Sequence, residues 1–295
     1  MFNRRQLSLG VAAATTVLSS GCQSVAVVPK QTTHKVGLQT YTVRVAFEED
    51  PLATFKMIKN AGYDYVELNS RNFEKLSTSE LKAMLDETGL YAPATHISLA
   101  SLESDLPLLF ENAKQLDMTY LVVPYIDENQ RKLEDWKAHA ASMNDAGEQL
   151  ADAGVKLAYH NHQFEFEDLG GQTTAMDILL NECAPENLTF ELDFFWATLA
   201  DADIKKLFMD NPGRFKLCHI KDMGPNKQDF AGASYGKITS ELMQNVGEGI
   251  IPFEQYLQLN DVSGMEYFIA EHDNPSKPYA TAIETSLNAV RNFKF

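Results

Sequence analysis

Eight short apolar runs, each followed by a helix-like stretch, most constrain the fold of this chain. The runs are rich in β-branched and aromatic residues, as buried strands are. They begin at Val36, Tyr65, Tyr91, Thr119, Val155, Leu188, Phe215 and Glu266. Helical periodicity lies between them, as at 52–61, 79–88, 102–116, 133–153 and 281–293. Strands that alternate with helices predict a parallel sheet, and eight such units predict a closed (β/α)₈ TIM barrel of the α/β class.

An open, doubly wound sheet is the alternative architecture. The sequence offers it little support, since no G-x-G-x-x-G follows the first strand and no P-loop motif occurs. With 295 residues, of which 44% are apolar, the chain can bury one core of barrel size. We therefore predict a single barrel domain over residues 35–295.

The first 34 residues are typical of an export signal followed by a polar tether. Arg4 and Arg5 precede an apolar run of small residues that ends shortly before Cys22. This pattern resembles a twin-arginine export signal followed by a lipoprotein cleavage box. We expect residues 1–22 to be the signal, Cys22 to carry a lipid and residues 23–34 to be a tether; an ordinary cleaved signal is the alternative. The protein is thus expected in the periplasm, with any membrane contact made through that lipid.

The charge balance argues against one class of partner. The chain has 25 basic and 41 acidic residues, and without Arg4 and Arg5 the formal charge is 23 − 41 = −18. A surface this negative repels phosphate backbones, attracts cations and is indifferent to neutral sugars. Nucleic acid is therefore not an expected partner.

Acidic and imidazole side chains follow the last four predicted strands, at the end of a barrel where catalytic groups are found. They are Glu165, Asp193, His219 and Glu271. Burying carboxylates is costly unless a cation compensates them. Oxygen and nitrogen donors without a thiolate suit Mn²⁺, Mg²⁺, Co²⁺ or Zn²⁺, so we predict a divalent metal site. A structural ion-pair network of Asp193, His219 and Lys221 is the alternative.

The segment Tyr159–Glu165, with the sequence YHNHQFE, is the densest cluster of proton-transferring groups in the chain. His160 and His162 are interpreted as further ligands or as acid/base groups, because imidazole serves both roles near neutral pH. Exposed loop histidines are the alternative. A second polar stretch, residues 223–249, is rich in glycine and is predicted to be an active-site loop after the seventh strand.

These features together resemble the sugar phosphate isomerase/epimerase superfamily of xylose isomerase-like barrels. The resemblance rests on the YHNH cluster, Asp193, the HIKD sequence from His219 and the Glu271-His272 pair, and it covers most of residues 35–295. In ketose 3-epimerases of that superfamily, a Glu, an Asp, a His and a Glu on strands five to eight bind Mn²⁺ or a similar ion. The resemblance therefore implies Asp193, His219 and Glu271 as ligands, with Mn²⁺ as the first expectation.

The ligand on the fifth strand does not carry over directly. An ungapped comparison places Tyr159 where those enzymes have Glu, whereas Glu165 matches a further carboxylate that contacts the sugar in them. The chain is thus placed in a YHNH-bearing branch. Glu165 is the predicted fourth ligand, and His160 or His162 is the alternative.

The resemblance implies a metal-dependent sugar isomerase or epimerase that removes a proton next to a polarised carbonyl. Glu271 is the candidate base, His162 or Glu165 the candidate acid, and Lys221 a candidate for stabilising the enolate oxygen. Elimination would instead make the enzyme a lyase or hydratase of a keto-sugar or 3-keto-glycoside. A non-catalytic sugar-binding lipoprotein is a further alternative.

A small sugar is the expected partner, and polar and aromatic residues near the strand ends are predicted to contact it. They are Tyr41, Glu67, His96, His160 and Trp196. Barrels of this kind often pair through their outer helices, which leaves a homo-oligomer open.

Overall fold

The computed structural model describes residues 34–295. Its strands are β1 (Val36–Gln39), β2 (Tyr65–Leu68), β3 (Ala94–His96), β4 (Tyr120–Val123), β5 (Lys156–His160), β6 (Thr189–Asp193), β7 (Phe215–Ile220), β8 (Asp222–Met223), β9 (Met243–Gln244) and β10 (Tyr267–Ala270). Eight of them close into a parallel barrel in the order β1-β10-β7-β6-β5-β4-β3-β2. β8 and β9, which follow β7 in the sequence, form a separate two-stranded antiparallel sheet.

Helices connect the strands of the barrel. They are α1 (Arg44–Glu49), α2 (Pro51–Ala61), α3 (Ser70–Lys75), α4 (Thr78–Thr88), α5 (Leu99–Ser104), α6 (Leu106–Gln115), α7 (Leu133–Asp152), α8 (Ala175–Glu182), α9 (Phe194–Leu199), α10 (Ile204–Asp210), α11 (Tyr235–Lys237), α12 (Phe253–Leu257), α13 (Asn260–Ser263) and α14 (Tyr279–Asn292). None of the helices within residues 34–295 has the length and hydropathy needed to cross a bilayer.

The predicted barrel is confirmed, and the open-sheet alternative is wrong. β1 pairs with β2 on one side and with β10 on the other, so the sheet has no free edge. The predicted helix 102–116 is two helices, α5 and α6, which meet at Asp105. Pro107 lies in the first turn of α6, where its missing N–H is tolerated, but it could not continue α5.

Local signals in the sequence explain where these helices begin and end. Ser77 and Glu80 form a capping box, in which the Ser77 side chain accepts from the backbone N–H of Glu80. Gly62 follows α2 with φ of 105°, a left-handed conformation that favours glycine. Each such end turns the chain back towards the next strand, which keeps the connections short.

The barrel interior is filled by side chains below the mouth. Tyr65 is fully buried there, and its hydroxyl donates to the carbonyl of Phe268 at 2.9 Å. Gly37 faces this ring, and a Cβ at that position would lie 2.1 Å from Tyr65 Cε2. Glycine is therefore required where the tyrosine crosses the barrel, and polar groups are left to gather at the opposite, carboxyl end of the strands.

The segment from β8 to Ile251, which we call the hairpin segment (residues 222–251), is anchored by one buried carboxylate. Asp222 accepts backbone N–H groups of Met223, Gly247, Gly249 and Ile251 at 2.8–3.2 Å. A Cβ on Gly249 would lie 2.3 Å from Asp222 Oδ1, so the close approach needs glycine. Both ends of the hairpin segment are thus tied to one residue directly after β7.

The predicted export signal, the lipid at Cys22 and most of the tether lie outside the described residues and stay predictions. His34, predicted as the last tether residue, belongs to the folded part. Its Nε2 lies 2.9 Å from the carbonyl oxygen of Phe295, and the two rings stack at 4.3 Å.

Candidate active site

Four donor side chains converge at the carboxyl end of the barrel. They are His160 at the end of β5, Asp193 at the end of β6, His219 within β7 and Glu271 directly after β10. One ligand atom of each lies within 4.8 Å of the others, and all four side chains are buried. The register of the sheet explains part of this, since Asp193 and His219 are paired neighbours on β6 and β7. We call these residues the donor cluster.

Two nitrogen atoms of the donor cluster lack the partners that buried polar atoms normally have. Glu271 Oε2 lies 2.7 Å from His219 Nδ1 and forms an ion pair with Lys221 Nζ at 2.8 Å. His219 Nδ1 itself forms no hydrogen bond with any of residues 34–295. The same is true of His160 Nδ1. Nitrogen and oxygen atoms that face one another in this way fit a shared divalent cation, so the residues present are suited to a metal.

Two carboxylates orient the imidazole of His219 from the other side. His219 Nε2 lies 2.6 Å from Glu67 Oε2 and 3.3 Å from Glu191 Oε2. His96 Nε2 completes this layer at 2.9 Å from Glu191 Oε2. Carboxylates in this position fix the ring of a metal-binding histidine, and here they leave Nδ1 directed at the donor cluster. Glu67, Glu191, His96 and His219 also lie close enough to hold an ion, and hydrogen bonds join His96 to Glu191 and His219 to Glu67.

Lys221 supplies the positive charge that balances these carboxylates. Its Nζ lies 2.8 Å from Glu271 Oε2, 3.1 Å from Asp193 Oδ2 and 3.0 Å from Asp273 Oδ1. Burial alone would lower the pKa of Lys221, but the three carboxylates outweigh it and hold that pKa well above its usual value. Burial alone would raise the pKa of Glu271, but Lys221 and His219 hold it well below the usual range. The ion pairs expected as the alternative to a metal site are therefore present beside the donors.

A cavity of about 480 Å³ opens above the donor cluster. Six residues predicted for the site line it: Tyr41, His96, His160, His162, Lys221 and Glu271. This volume is within the usual range for small-molecule sites, roughly 300–1,000 Å³. The other predicted site residues lie behind the wall of the cavity: Glu67, Glu165, Asp193, Trp196 and His219.

Trp196, predicted to stack on a sugar, is fully buried behind the wall. Its ring stacks on Tyr235 with centroids 5.6 Å apart, and Tyr235 lines the cavity in its place. The Tyr235 hydroxyl donates to Asp273 Oδ2 at 2.5 Å. Because Tyr235 lies in the hairpin segment, the prediction that this loop contributes to the site agrees with its position.

The structure does not bring Glu165 into the donor cluster. One carboxylate oxygen accepts from the Tyr159 hydroxyl at 2.6 Å and the other from the backbone N–H of His162 at 2.7 Å. A 3₁₀ turn, Phe164–Phe166, folds Glu165 back onto the strand. His160, the alternative from the sequence, occupies the place on β5 that Glu165 was expected to fill.

His162 sits in a box of aromatic rings at the wall of the cavity. Its centroid lies 5.1–5.4 Å from the rings of His160, Trp196, Phe164 and Tyr125. Burial, with His160 and Lys221 adding to it, holds the pKa of His162 well below its usual value. His162 is therefore uncharged near neutral pH, so any proton that it delivers comes from the N–H of a neutral ring, and its backbone N–H donates to Glu165.

Burial raises the pKa of Glu165 from 4.5 to about 8. Between these values the folded state keeps a proton that the unfolded state loses, so wild-type stability falls as the pH rises through this range. Glu165→Gln removes the titration. The free energy of unfolding of the variant, relative to that of wild type, should therefore rise by about 2 kcal/mol from pH 5 to pH 7, given 1.36 kcal/mol for each unit of pKa shift. Urea unfolding of both proteins at the two pH values measures this gain, and parallel profiles would contradict the assignment.

Residues 55–293 match the family described as Xylose isomerase-like TIM barrel. The match covers more than half of the chain. The protein belongs to this family. The family accounts for the eight parallel strands and for polar groups gathered at their carboxyl ends.

Comparison with individual proteins agrees with this family. An inosose dehydratase of Clostridium perfringens is 25% identical over 171 residues, which are 55% of this chain and 54% of the relative. The chain thus spans about half the length of the curated relatives it matches. A sugar phosphate isomerase/epimerase of Parabacteroides distasonis has a crystal structure with a TM-score of 0.74 and 21% identity, covering 91% of this chain and 97% of its own.

A third similar protein is IolI, whose crystal structure contains a zinc atom. It aligns with a TM-score of 0.66 and 17% identity, covering 87% of this chain and 96% of its own. At these identities the two crystal structures show the fold alone. Among these similar proteins, one is described as a dehydratase and another as a sugar phosphate isomerase/epimerase.

Proposed function

We propose that this protein is a metal-dependent isomerase or epimerase that moves a proton at a carbon next to the carbonyl of a sugar. One observation carries the proposal. Four buried nitrogen and oxygen donors converge beneath a cavity of sugar size, and two further groups able to transfer or stabilise charge, His162 and Lys221, line the same cavity.

His160, Asp193, His219 and Glu271 are the proposed ligands. The donor set suits Mn²⁺, which remains the first expectation, and Zn²⁺, Co²⁺ and Mg²⁺ are the others. A divalent ion bound there would polarise a carbonyl and its neighbouring hydroxyl, and so acidify the adjacent C–H. The unpartnered His219 Nδ1 and His160 Nδ1 support this assignment.

Glu271 and His162 are the proposed proton-transfer groups. β10 and β5, which carry them, are three strands apart in the ring of eight, so the two side chains approach a bound sugar from different sides. Removal of the proton by one and its return by the other would give an epimer, whereas return to the adjacent carbon would give an isomer. The ammonium of Lys221, held by Asp273, would stabilise the oxygen on which negative charge develops.

Elimination is the second candidate reaction. The similarity to inosose dehydratase favours it, because loss of water from a carbon next to an acidified C–H begins with the same proton removal. A keto-sugar or 3-keto-glycoside would then lose its β-substituent. A non-catalytic sugar-binding protein is the remaining alternative if no turnover occurs. We also propose that the protein is exported and carries a lipid at Cys22.

Solvent deuterium incorporation tests the proposal. Protein loaded with Mn²⁺ is incubated in D₂O with ketohexoses and 3-keto-glycosides, and the sugar C–H signals are followed by NMR. We expect one C–H next to the carbonyl to exchange, to stop exchanging after chelation and to resume when Mn²⁺ is restored. Release of water or an alcohol would assign the lyase instead. No exchange with any of these sugars by the metal-loaded protein would contradict both reactions.

A further inference from the structure

A second cavity continues from the first along the ends of β3 and β4. It has a volume of about 250 Å³, against about 480 Å³ for the first. Four residues line both cavities: Ser70, His96, Pro124 and Tyr125. Because the two cavities share these residues, we treat the second cavity, which has about half the volume of the first, as a compartment of the same site. A monosaccharide placed over the donor cluster would leave it unused.

We infer that the substrate of this site is a neutral glycoside of at least two rings, whose second ring occupies this compartment. The inference rests on the proposed function and narrows its substrate class. The compartment has the mixed character that a sugar ring requires. Buried apolar residues form part of it, namely Ile97, Leu99 and Ile126, and hydrogen-bonding side chains form the rest, namely Ser98, Glu103, Asp127 and Gln130.

Tyr125 stands at the junction of the two cavities as an exposed aromatic surface. The residue is 46% exposed, although Phe164 and His162 pack perpendicular to its ring and the Arg131 guanidinium lies 4.9 Å from the ring centroid. A large aromatic ring that is held by its neighbours while one face meets solvent offers a rigid apolar contact at little entropic cost. At this junction it would contact the linkage between two sugar rings.

The charge of the compartment selects for a neutral second group. Its lining contains two acidic side chains, Glu103 and Asp127, and no Lys or Arg among the described residues that form it. The guanidinium of Arg131, which does not line the compartment, donates to the carbonyl of Ile126 at 2.8 Å, and Arg71 lines only the first cavity. A phosphate placed here would meet like charge with no Lys or Arg in the lining, whereas sugar hydroxyls could donate to both carboxylates.

Calorimetric titration of the full-length, Mn²⁺-loaded protein tests the inference. The probes are glucose, glucose 6-phosphate and four disaccharides: maltose, cellobiose, trehalose and sucrose. We expect at least one disaccharide to bind tenfold or more tightly than glucose, and glucose 6-phosphate to bind no more tightly than glucose. If every disaccharide binds no better than glucose, or if the phosphate is preferred, the inference is overturned.

Matched variants locate the effect. Ala100→Trp fills the compartment from an exposed position of α5, and Ser104→Trp adds the same ring to that helix outside both cavities. Ala100→Trp should reduce disaccharide affinity to that of glucose and leave glucose binding unchanged, whereas Ser104→Trp should change neither. Tyr125→Phe should keep the disaccharide preference and Tyr125→Ala should lose it. Equal effects of the two tryptophans would overturn the inference.

The two proposals fail separately. Deuterium exchange without a preference for disaccharides would support the proposed chemistry and overturn the two-ring substrate. A disaccharide preference that Ala100→Trp abolishes, without exchange at any sugar carbon, would support the compartment and contradict the proposed chemistry.

Discussion

His160→Gln is expected to weaken divalent metal binding by at least about 100-fold. His160 is the donor that β5 contributes to the cluster, and its Nε2 lies 3.2 Å from Asp193 Oδ2. Loss of a group that only supports a ligand already costs about 10–100-fold in affinity, so loss of a ligand itself should cost at least the upper figure. Titration of metal-free protein with Mn²⁺ and Zn²⁺ measures the change.

Glu165→Gln is the matched control for this experiment. Both residues lie in the YHNHQFE segment, and both are buried. Because the Glu165 carboxylate contacts Tyr159 and the His162 backbone instead of the donor cluster, this variant should keep wild-type metal affinity to within a few-fold. If Glu165→Gln loses the metal and His160→Gln keeps it, the ligand on β5 is Glu165.

His162→Gln is expected to lower the rate of sugar turnover by about 10²–10⁴-fold, the range typical of a lost acid/base group. His162 lines the cavity but is absent from the donor cluster, so metal affinity should remain close to that of wild type. Steady-state kinetics on the substrate identified by deuterium exchange measure the rate. Metal titration of the same sample separates a catalytic defect from loss of the metal.

A second readout in this variant distinguishes proton transfer from packing. If Glu271 removes the proton and His162 returns it, His162→Gln should still exchange deuterium into the substrate while the epimer or isomer no longer forms. A purely structural role would lower exchange and product formation together. His34→Gln, two residues before β1 and away from the mouth, is the control for the change of residue type and should leave both rates unchanged.

Most of the fold could be predicted because each strand carries its own local signal. Residues 119–123 and 215–220 are mostly apolar, and the observed strands β4 and β7 lie within them. The joint between α5 and α6 was missed because the apolar period continues across Asp105 and conceals the consequence of Pro107. Periodicity reports which face of a helix is buried, but it does not report where one helix gives way to another.

The carboxyl-end location of the site could be predicted, whereas the ligand on β5 depended on tertiary detail. Asp193 and His219 are placed by strand register alone, since each lies at or near the end of a strand. The choice between His160 and Glu165 depended on where β5 ends and on the 3₁₀ turn that folds Glu165 back. A five-residue separation in sequence does not reveal that reversal.

Glu191, Asp273 and Tyr235 were among the site residues that were not predicted, and the first two had a signal. Glu191 is two positions before Asp193 on β6, so the two-residue period of a strand places both on one face. Asp273 is likewise two positions after Glu271, and it pairs with Lys221. Tyr235 had no such signal, because its position depends on the path of the hairpin segment and not on any strand.

Because four hydrogen bonds to Asp222 hold the ends of the hairpin segment, we expect the stability of the barrel to depend little on which residues lie within that segment. Both ends of that segment close on the Asp222 carboxylate, so the residues between them that do not contact the strand ends can change in length and chemistry while the ends of the segment stay in place. The segment also supplies Tyr235 to the cavity wall. A lineage could therefore exchange this stretch to recognise a new sugar without rebuilding the scaffold that holds the donors, which makes substrate range the trait of this protein most open to evolutionary change.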